Sequence, residues 1–202
     1  MQGTGSAARG APLVLASTSP RRRAILEQLR VPFEVALPAY EEIAQPGRSP
    51  RELIEAHAVG KARSVRGLYP DRSILGVDTG VVLDDVLYGK PVDAGDAARI
   101  LTTLAGRTHT VVSGVCFLDG GSEVTSLAET SVTFRDLSGA QIGRYVDSRE
   151  WRGLAGGYAI QGFGATLVES VQGDYLNIVG LPAGLLLDTL ATHRPDLLAL
   201  GS

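Results

Sequence analysis

The 202-residue sequence contains one cysteine, Cys116, which lies in an apolar stretch and is expected to pack in the core. A single cysteine forms neither an intrachain disulfide nor a cysteine-rich zinc site. No apolar run reaches the roughly 18 residues that a membrane-spanning helix needs, and residues 1–10 carry no apolar segment of the secretory-signal type. We therefore expect a cytoplasmic protein with no membrane partner, a flexible leader at 1–10 and a single domain at 11–202.

An excess of positive charge is also absent, since the formal net charge is −3. Proteins that bind nucleic acid through bulk electrostatics are usually basic, so no nucleic-acid partner is expected. The sequence has no Walker A motif, no glycine-rich dinucleotide-binding motif and no zinc-protease motif. Its three histidines, His57, His109 and His193, follow no metal-binding spacing and are expected to be structural. Hydrophobic residues make up 44% of the chain, which excludes a disordered protein.

Apolar periodicity and turn residues predict strands alternating with helices, together with long hairpins. Ser19 and Pro20 are typical of the start of a helix, and Ser49 with Glu52 forms a capping-box pattern before a second helix. Strands are expected at 13–16, 33–37, 73–77, 81–88 (as a hairpin), 108–118, 123–134 and 166–171, and further helices after Asp93 or Asp96, after Ser138 and after Leu181-Pro182. This mixture predicts the α/β class with a mixed sheet.

Three arginines, Arg21, Arg22 and Arg23, stand in the opening turn of the first expected helix. Cations are disfavoured at this positive end of the helix dipole, by about 0.3–1 kcal/mol each when exposed. Either they are solvated side chains of an arginine-rich surface, or they hold an anion together with the free N–H groups of the helix start. The preceding strand favours a phosphate site, because strand-to-helix turns bind ligands in α/β folds.

Only two of the 19 basic residues are lysines, Lys61 and Lys90. Lys90 follows a glycine, which permits close backbone approach, and precedes a proline, which stiffens the turn. Its compact ammonium group suits a phosphate oxygen, although both lysines also fit an exposed surface.

Carboxylates stand at two further candidate positions. Asp78 is expected to follow the strand 73–77 directly, at the strand end where ligands bind, where it would orient a water, hold Mg²⁺ or simply form a turn. Glu41 and Glu42 lie in an expected loop, either as a solvated pair or as metal ligands.

Seven short motifs follow one another along the chain: Ser17-x-Ser19-Pro20-Arg21-Arg22, Asp78-Thr79, Gly89-Lys90-Pro91, Gly106-Arg107-x-His109, Ala155-Gly156-x-Tyr158-x-Ile160-Gln161-Gly162, Gly173-Asp174-Tyr175 and Val179-Gly180-Leu181-Pro182. With these motifs the sequence resembles the Maf (septum formation inhibitor) family of nucleoside triphosphate pyrophosphatases over about 13–190. The resemblance implies an α/β fold with a mixed, strongly curved sheet, flanking helices and two lobes around a deep cleft, as in inosine triphosphate pyrophosphatases.

The resemblance also implies an activity and a set of site residues. Maf enzymes hydrolyse nucleoside triphosphates to the monophosphate and pyrophosphate with a divalent cation, Mg²⁺ or Mn²⁺. Asp78 would be the base for water attack at the α-phosphorus, and Glu42 with Asp78 would hold the metal. The substrate would be bound by Ser17, Ser19, Arg21, Arg22, Lys61, Thr79, Lys90 and Gln161.

Within the family, the residues Arg21, Thr79 and Gln161 resemble the subgroup that prefers dTTP and UTP. Two positions depart from the usual family pattern, since Trp151 and Leu154 stand where proline and lysine are common. A homodimer is expected by the same resemblance. The alternative function is a nucleotide-binding regulator of septum formation with little turnover.

Overall fold

The computed structural model describes residues 10–43 and 45–199. The strands are β1 (Leu13–Ala16), β2 (Phe33–Ala36), β3 (Ile74–Leu83), β4 (Val86–Tyr88), β5 (Thr108–Asp119), β6 (Ser122–Phe134) and β7 (Val168–Gln172). The helices are α1 (Pro20–Gln28), α2 (Pro50–Arg66), α3 (Ala94–Leu104), α4 (Gly139–Ser148), α5 (Tyr175–Val179) and α6 (Ala183–His193), with 3-10 turns at Ala155–Gly157, Gly162–Leu167 and Pro195–Leu198.

The strands form one seven-stranded sheet in the order β2-β1-β3-β5-β6-β7, with β4 paired to β3 beside this path. β1 runs parallel to β2 and β3, whereas the other pairs are antiparallel. The expected α/β class, with a mixed sheet and flanking helices, is confirmed. Across 10–43 and 45–199, no helix is long and apolar enough to cross a membrane. The expected leader lies outside the described residues except for Gly10, and the single domain at 11–202 stays a prediction.

Helix starts follow the sequence closely. Ser19 Oγ accepts a hydrogen bond from the backbone of Arg22 at 3.4 Å at the start of α1. Ser49 and Glu52 form the expected capping box, in which the Ser49 backbone donates to the Glu52 carboxylate at 2.8 Å. Asp93, rather than Asp96, caps α3. These local contacts satisfy N–H groups that have no partner inside the helix.

The strand expected to end before Asp78 continues through it. β3 pairs with β5 without interruption, and Asp78 and Thr79 lie opposite Gly114 and Ser113. The prediction that Asp78 stands at the C-terminal end of a strand is therefore wrong. Gly80 marks close packing instead of a turn, because a Cβ there would lie 2.9 Å from Ile54 Cδ1.

The C-terminal third differs from expectation in two places. The strand predicted at 166–171 begins only at Val168, because the preceding residues form the 3-10 turn Gly162–Leu167. The short helix α5 was not anticipated; the carboxylate of Asp174 caps it by accepting the Leu176 N–H at 2.8 Å.

Helix α2 packs unusually close to the sheet at two glycines. A Cβ at Gly114 would lie 2.8 Å from the carbonyl oxygen of Ile54, and a Cβ at Gly76 would lie 2.8 Å from Ala62 Cβ. The two glycines thus admit the helix backbone where a larger residue would push it away. This close approach brings Lys61, on the buried face of α2, to the level of Asp78.

The buried side chain of His109 makes the stability of the fold depend on pH. The ring is 1% exposed, hydrogen-bonds to the Tyr158 hydroxyl at 2.8 Å, and burial lowers its pKa to about 4. Between about pH 6.5 and pH 4 the unfolded chain binds a proton that the folded protein does not, so stability falls with falling pH. We expect His109→Gln to reduce this loss by up to about 3 kcal/mol, measured by urea denaturation at pH 7 and pH 4. His193→Gln should leave the loss unchanged, and an unaltered loss in His109→Gln would contradict the assignment.

Candidate active site

A single cleft of about 540 Å³ collects all ten residues that the family resemblance assigns to the site, whereas Arg23 and Glu41 lie outside its lining. It lies where the β1–α1 turn, β3 and the glycine-rich segment 153–164 come together. Its lining includes Ser17, Ser19, Arg21, Arg22, Glu42, Lys61, Asp78, Thr79, Lys90 and Gln161. Arginines, lysines and carboxylates from five separate parts of the chain thus face one space.

Arg22 ties the walls of the cleft together. Its buried guanidinium donates to Gly180 O at 2.8 Å, to Ser17 Oγ at 3.0 Å and to Thr79 Oγ1 at 3.1 Å. Thr79 Oγ1 is in turn 2.9 Å from Ser113 Oγ. Burial lowers the Arg22 pKa to about 10, with opposition from the Asp78 charge, so the group stays charged at neutral pH. Arg22 therefore positions the β1–α1 turn against β3.

The other two arginines of this run behave differently. Arg21 is half-buried, lines the cleft and donates through Nε to Val179 O at 3.3 Å; burial lowers its pKa. Arg23 is exposed and lies outside the cleft lining. The three arginines therefore do not surround one anion. Of the three, only Arg21 both lines the cleft and donates to a single acceptor among the described residues.

Lys61 joins the two candidate carboxylates. Its Nζ lies 2.6 Å from Asp78 Oδ1 and 2.6 Å from Glu42 Oε1. The side chains of Lys61 and Asp78 are only 10% and 13% exposed, whereas that of Glu42 is 39% exposed. The group carries one net negative charge, and its attraction is strong because water is largely excluded from two of the three side chains.

Burial and the charges of the cleft shift the pKa values of two further groups, Glu42 and Tyr40. Burial by itself raises the pKa of Glu42, but the hydrogen bond and charge of Lys61, with smaller contributions from Lys90 and His57, hold it below its ordinary value. Burial, followed by the charges of Asp78 and Glu42, raises the pKa of Tyr40. At neutral pH the Glu42 carboxylate is therefore ionised and the Tyr40 phenol is protonated.

Lys90 and Gln161 stand on the side of the cleft formed by the glycine-rich segment. Both side chains are exposed and line the cleft. The backbone N–H of Gly156 donates to Gly89 O at 3.0 Å, which fixes the loop that carries Lys90. Gly156 has φ +67, and a Cβ there would lie 2.9 Å from Val81 Cβ, so the close contact requires glycine.

Tyr40 is a cleft residue that sequence reasoning missed. Its hydroxyl lies 2.9 Å from Nδ1 of the buried His57, and its ring packs on α2, where a Cβ at Gly60 would lie 2.6 Å from Tyr40 Cδ2. A glycine inside a helix costs about 1 kcal/mol relative to alanine, so its presence points to a close contact. Gly60 was thus the available signal. Arg152 also lines the cleft and was not singled out.

One part of the lining is apolar and contains Leu154, Tyr158, Ile160, Ile178 and Val179. Leu154 and Ile160 are 6% and 8% exposed, so their contact surfaces are mostly buried in the wall itself. This part suits the flat face of an aromatic ring, and Gln161 beside it offers an amide that both donates and accepts hydrogen bonds. The cleft therefore combines an apolar part with a strongly charged part.

A divalent cation fits the acidic side of the cleft. The part of the chain that the structure describes has no cluster of three or more metal-binding side chains of the His, Cys, Asp or Glu type. Mg²⁺, however, is commonly held by one or two carboxylates together with substrate phosphates and water. Glu42 and Asp78 converge on one ammonium group, and each has a second carboxylate oxygen besides the one nearest Lys61 Nζ.

The fold and the cleft define a class: mixed α/β proteins whose charged cleft opens at a strand-to-helix turn beside the central strands. A model of the Maf-like protein family matches residues 12–193. The chain belongs to the Maf family, which confirms the resemblance seen in the sequence.

Curated relatives cover most of the chain. A dTTP/UTP pyrophosphatase from Symbiobacterium thermophilum is 46% identical over 84% of this chain and 88% of its own length. Proteins of the same name from Gloeobacter violaceus and Nitratidesulfovibrio vulgaris are 45% and 44% identical, over 89% and 91% of this chain and 94% and 88% of their own lengths.

Proposed function

We propose that this protein is a nucleoside triphosphate pyrophosphatase that hydrolyses dTTP and UTP to the monophosphate and pyrophosphate. The observation that carries the proposal is the convergence of cations, carboxylates and an apolar wall in one cleft. Relatives more than 40% identical along most of the chain are named for this activity. The pattern at Arg21, Thr79 and Gln161 supports the pyrimidine preference.

The polyphosphate lies, in this proposal, along the β1–α1 turn. Ser17, Ser19 and Arg21 offer hydroxyl and guanidinium donors there, next to the positive end of the α1 dipole. Arg22 acts by holding Ser17 and Thr79 in place, because protein oxygens accept its hydrogen bonds. Charge-assisted hydrogen bonds of this kind are stronger than neutral ones and suit a leaving pyrophosphate.

Asp78 is the proposed general base. Lys61 donates to its Oδ1 at 2.6 Å, which fixes the carboxylate and leaves Oδ2 to accept a proton from water. Lys61 also holds Glu42 beside it, so removal of either acid changes the charge balance at the other. Lys90 faces the same space and would bind phosphate oxygens.

Glu42 and Asp78 are the proposed ligands of a divalent cation, Mg²⁺ or Mn²⁺. Bound there, the cation would supply charge neutralisation at the phosphates and polarisation of the phosphorus–oxygen bonds. Gln161, with the apolar wall, would hold the pyrimidine, since its amide can pair with the donor and acceptor edge of the base.

The deciding experiment is pyrophosphate release by the purified protein with Mg²⁺ or Mn²⁺. We expect turnover of dTTP and UTP, and slower turnover of dATP and dGTP. Tight nucleotide binding without pyrophosphate release would contradict the proposal and favour a regulator with little turnover. Phosphate release in place of pyrophosphate would contradict attack at the α-phosphorus.

We also propose a cytoplasmic location and a homodimer. The location follows from the proposed substrates, which are nucleotides of the cytoplasm. The dimer follows from the family resemblance alone, and light scattering of the purified protein measures it directly.

A further inference from the structure

The cations of the cleft differ in how many hydrogen bonds and ion pairs they form with other groups of the protein. Arg22 donates to three protein oxygens, and Lys61 lies between two carboxylates. Lys90 and Arg152, by contrast, form no side-chain hydrogen bond or ion pair with any of residues 10–43 and 45–199. Both are exposed and line the cleft, so their charges are available to an anionic ligand.

Arg152 is held in place by the residue before it. Trp151 is 6% exposed, and its indole N–H donates to Val146 O at 3.0 Å at the end of α4. The Arg152 guanidinium carbon lies 5.6 Å from the centre of the Trp151 ring, within the range of a cation–π contact. The aromatic face orients the guanidinium without occupying its N–H groups, which stay available as donors.

The backbone around Arg152 is also restrained. The chain turns at Arg149, with φ 63, and again at Gly153, with φ 70. Within this turn the Arg152 N–H donates to Arg149 O at 3.3 Å, and the Leu154 N–H donates to Trp151 O at 3.2 Å. A mobile loop would give a binding residue little advantage, whereas this turn places Arg152 at low entropic cost.

Arg152 is the one cation that the chain segment 150–164 contributes to the cleft, and Lys90 reaches the same side from a separate loop. Along 150–164 the sequence contains one basic residue, Arg152, and the neighbouring Leu154 is apolar and buried. The phosphate donors Ser17, Ser19 and Arg21 belong to the β1–α1 turn, in a separate part of the chain. Within 150–164, a polyphosphate in the cleft would meet positive charge only at Arg152.

We propose that Arg152 is a further substrate-binding residue, which binds the polyphosphate chain of the nucleotide and is oriented by Trp151. The proposal rests on the proposed function for the identity of the substrate. A planar guanidinium binds two phosphate oxygens at once, and loss of one such charged contact typically weakens binding about tenfold.

The test measures the binding of inorganic pyrophosphate by titration calorimetry in the presence of Mg²⁺, without any need for turnover. We expect Arg152→Gln to raise the pyrophosphate Kd about tenfold, and Arg152→Lys to raise it less, because lysine keeps the charge and loses the fork. In steady-state assays Arg152→Gln should raise the KM for dTTP about tenfold and leave kcat within threefold. Trp151→Leu should raise KM by a smaller factor, since the charge remains but its orientation is lost.

The matched control is Arg144→Gln, which removes an exposed arginine of α4 outside the cleft lining and should change neither value. An equal pyrophosphate Kd in wild type and Arg152→Gln, or an equal loss in Arg144→Gln, would overturn the role of Arg152. So would a failure of the wild type to bind pyrophosphate. Arginine-dependent pyrophosphate binding without hydrolysis of any nucleoside triphosphate would overturn the proposed function and leave this site standing.

Discussion

Replacing Asp78 by asparagine should lower kcat for dTTP hydrolysis at least 100-fold and leave the fold intact. A positioned general base typically contributes about 10²–10⁴-fold to the rate, and an amide cannot take the proton from water. Asparagine has nearly the same shape, and its Oδ1 can still accept the hydrogen bond that Lys61 now donates at 2.6 Å. The measurement is initial-rate pyrophosphate release with saturating dTTP.

Two controls separate chemistry from folding. Asp188→Asn makes the same change at an exposed position of α6, outside the cleft, and should keep full activity. Circular dichroism should show the same secondary structure in both variants. A kcat within threefold of wild type for Asp78→Asn would exclude Asp78 as the base and direct attention to Glu42, the other carboxylate bound to Lys61.

The elements that sequence reasoning predicted well are those with local signals. The starts of α1 and α2 were readable because Ser19, Ser49 and Glu52 act on backbone groups within three residues. Asp78 failed as a strand end because its extended conformation depends on pairing with Gly114 on a distant strand. Asp, Thr and Gly in sequence are typical of a turn, and only the partner strand overrides that preference.

The sequence predicted which residues belong to the site better than it predicted the hydrogen bonds and ion pairs between them. Motif resemblance led to ten residues, and all ten line the same cleft. The run of arginines did not show that Arg22 donates to Gly180 O, a contact across 158 positions of the sequence. The sequence also could not show that Lys61 lies between two acidic side chains, because that contact depends on how closely α2 approaches the sheet at Gly76.

The resemblance also left Trp151 and Leu154 unexplained, and the structure gives both a local role. Trp151 fills a buried position, donates to Val146 O and carries Arg152 on its face. Leu154 extends the apolar wall of the cleft. Leu154 replaces the lysine that is common in the family, but Arg152 lies two residues earlier, so this segment keeps one cation. A position-by-position sequence comparison does not show this.

Replacing Lys61 by methionine should lower the free energy of unfolding by about 3 kcal/mol at pH 8 and abolish most activity. Removing one partner of a buried ion pair typically costs about 3–5 kcal/mol, because the other charge remains without compensation. We expect the lower end, since the Glu42 side chain is 39% exposed and water can partly solvate it. Urea denaturation measures the change, and Lys90→Met, at an exposed cleft residue, should stay within about 0.5 kcal/mol of wild type.

The dependence on pH distinguishes this cause from simple loss of packing. In the wild type, the lowered pKa of Glu42 stabilises the folded state at pH values above the ordinary pKa of a glutamate. This stabilisation is lost as the pH falls through the lowered pKa. Without Lys61, the facing carboxylates of Glu42 and Asp78 repel, which raises the pKa of one of them, so acidification restores stability in the variant. The loss of unfolding free energy in Lys61→Met should therefore shrink between pH 8 and pH 5.

The triple variant Glu42→Gln, Lys61→Met, Asp78→Asn should recover most of the unfolding free energy lost at pH 8, because no charge is then left unpaired. A cost independent of pH and undiminished in the triple variant would mean that the methylene groups of Lys61, and not its charge, stabilise this region.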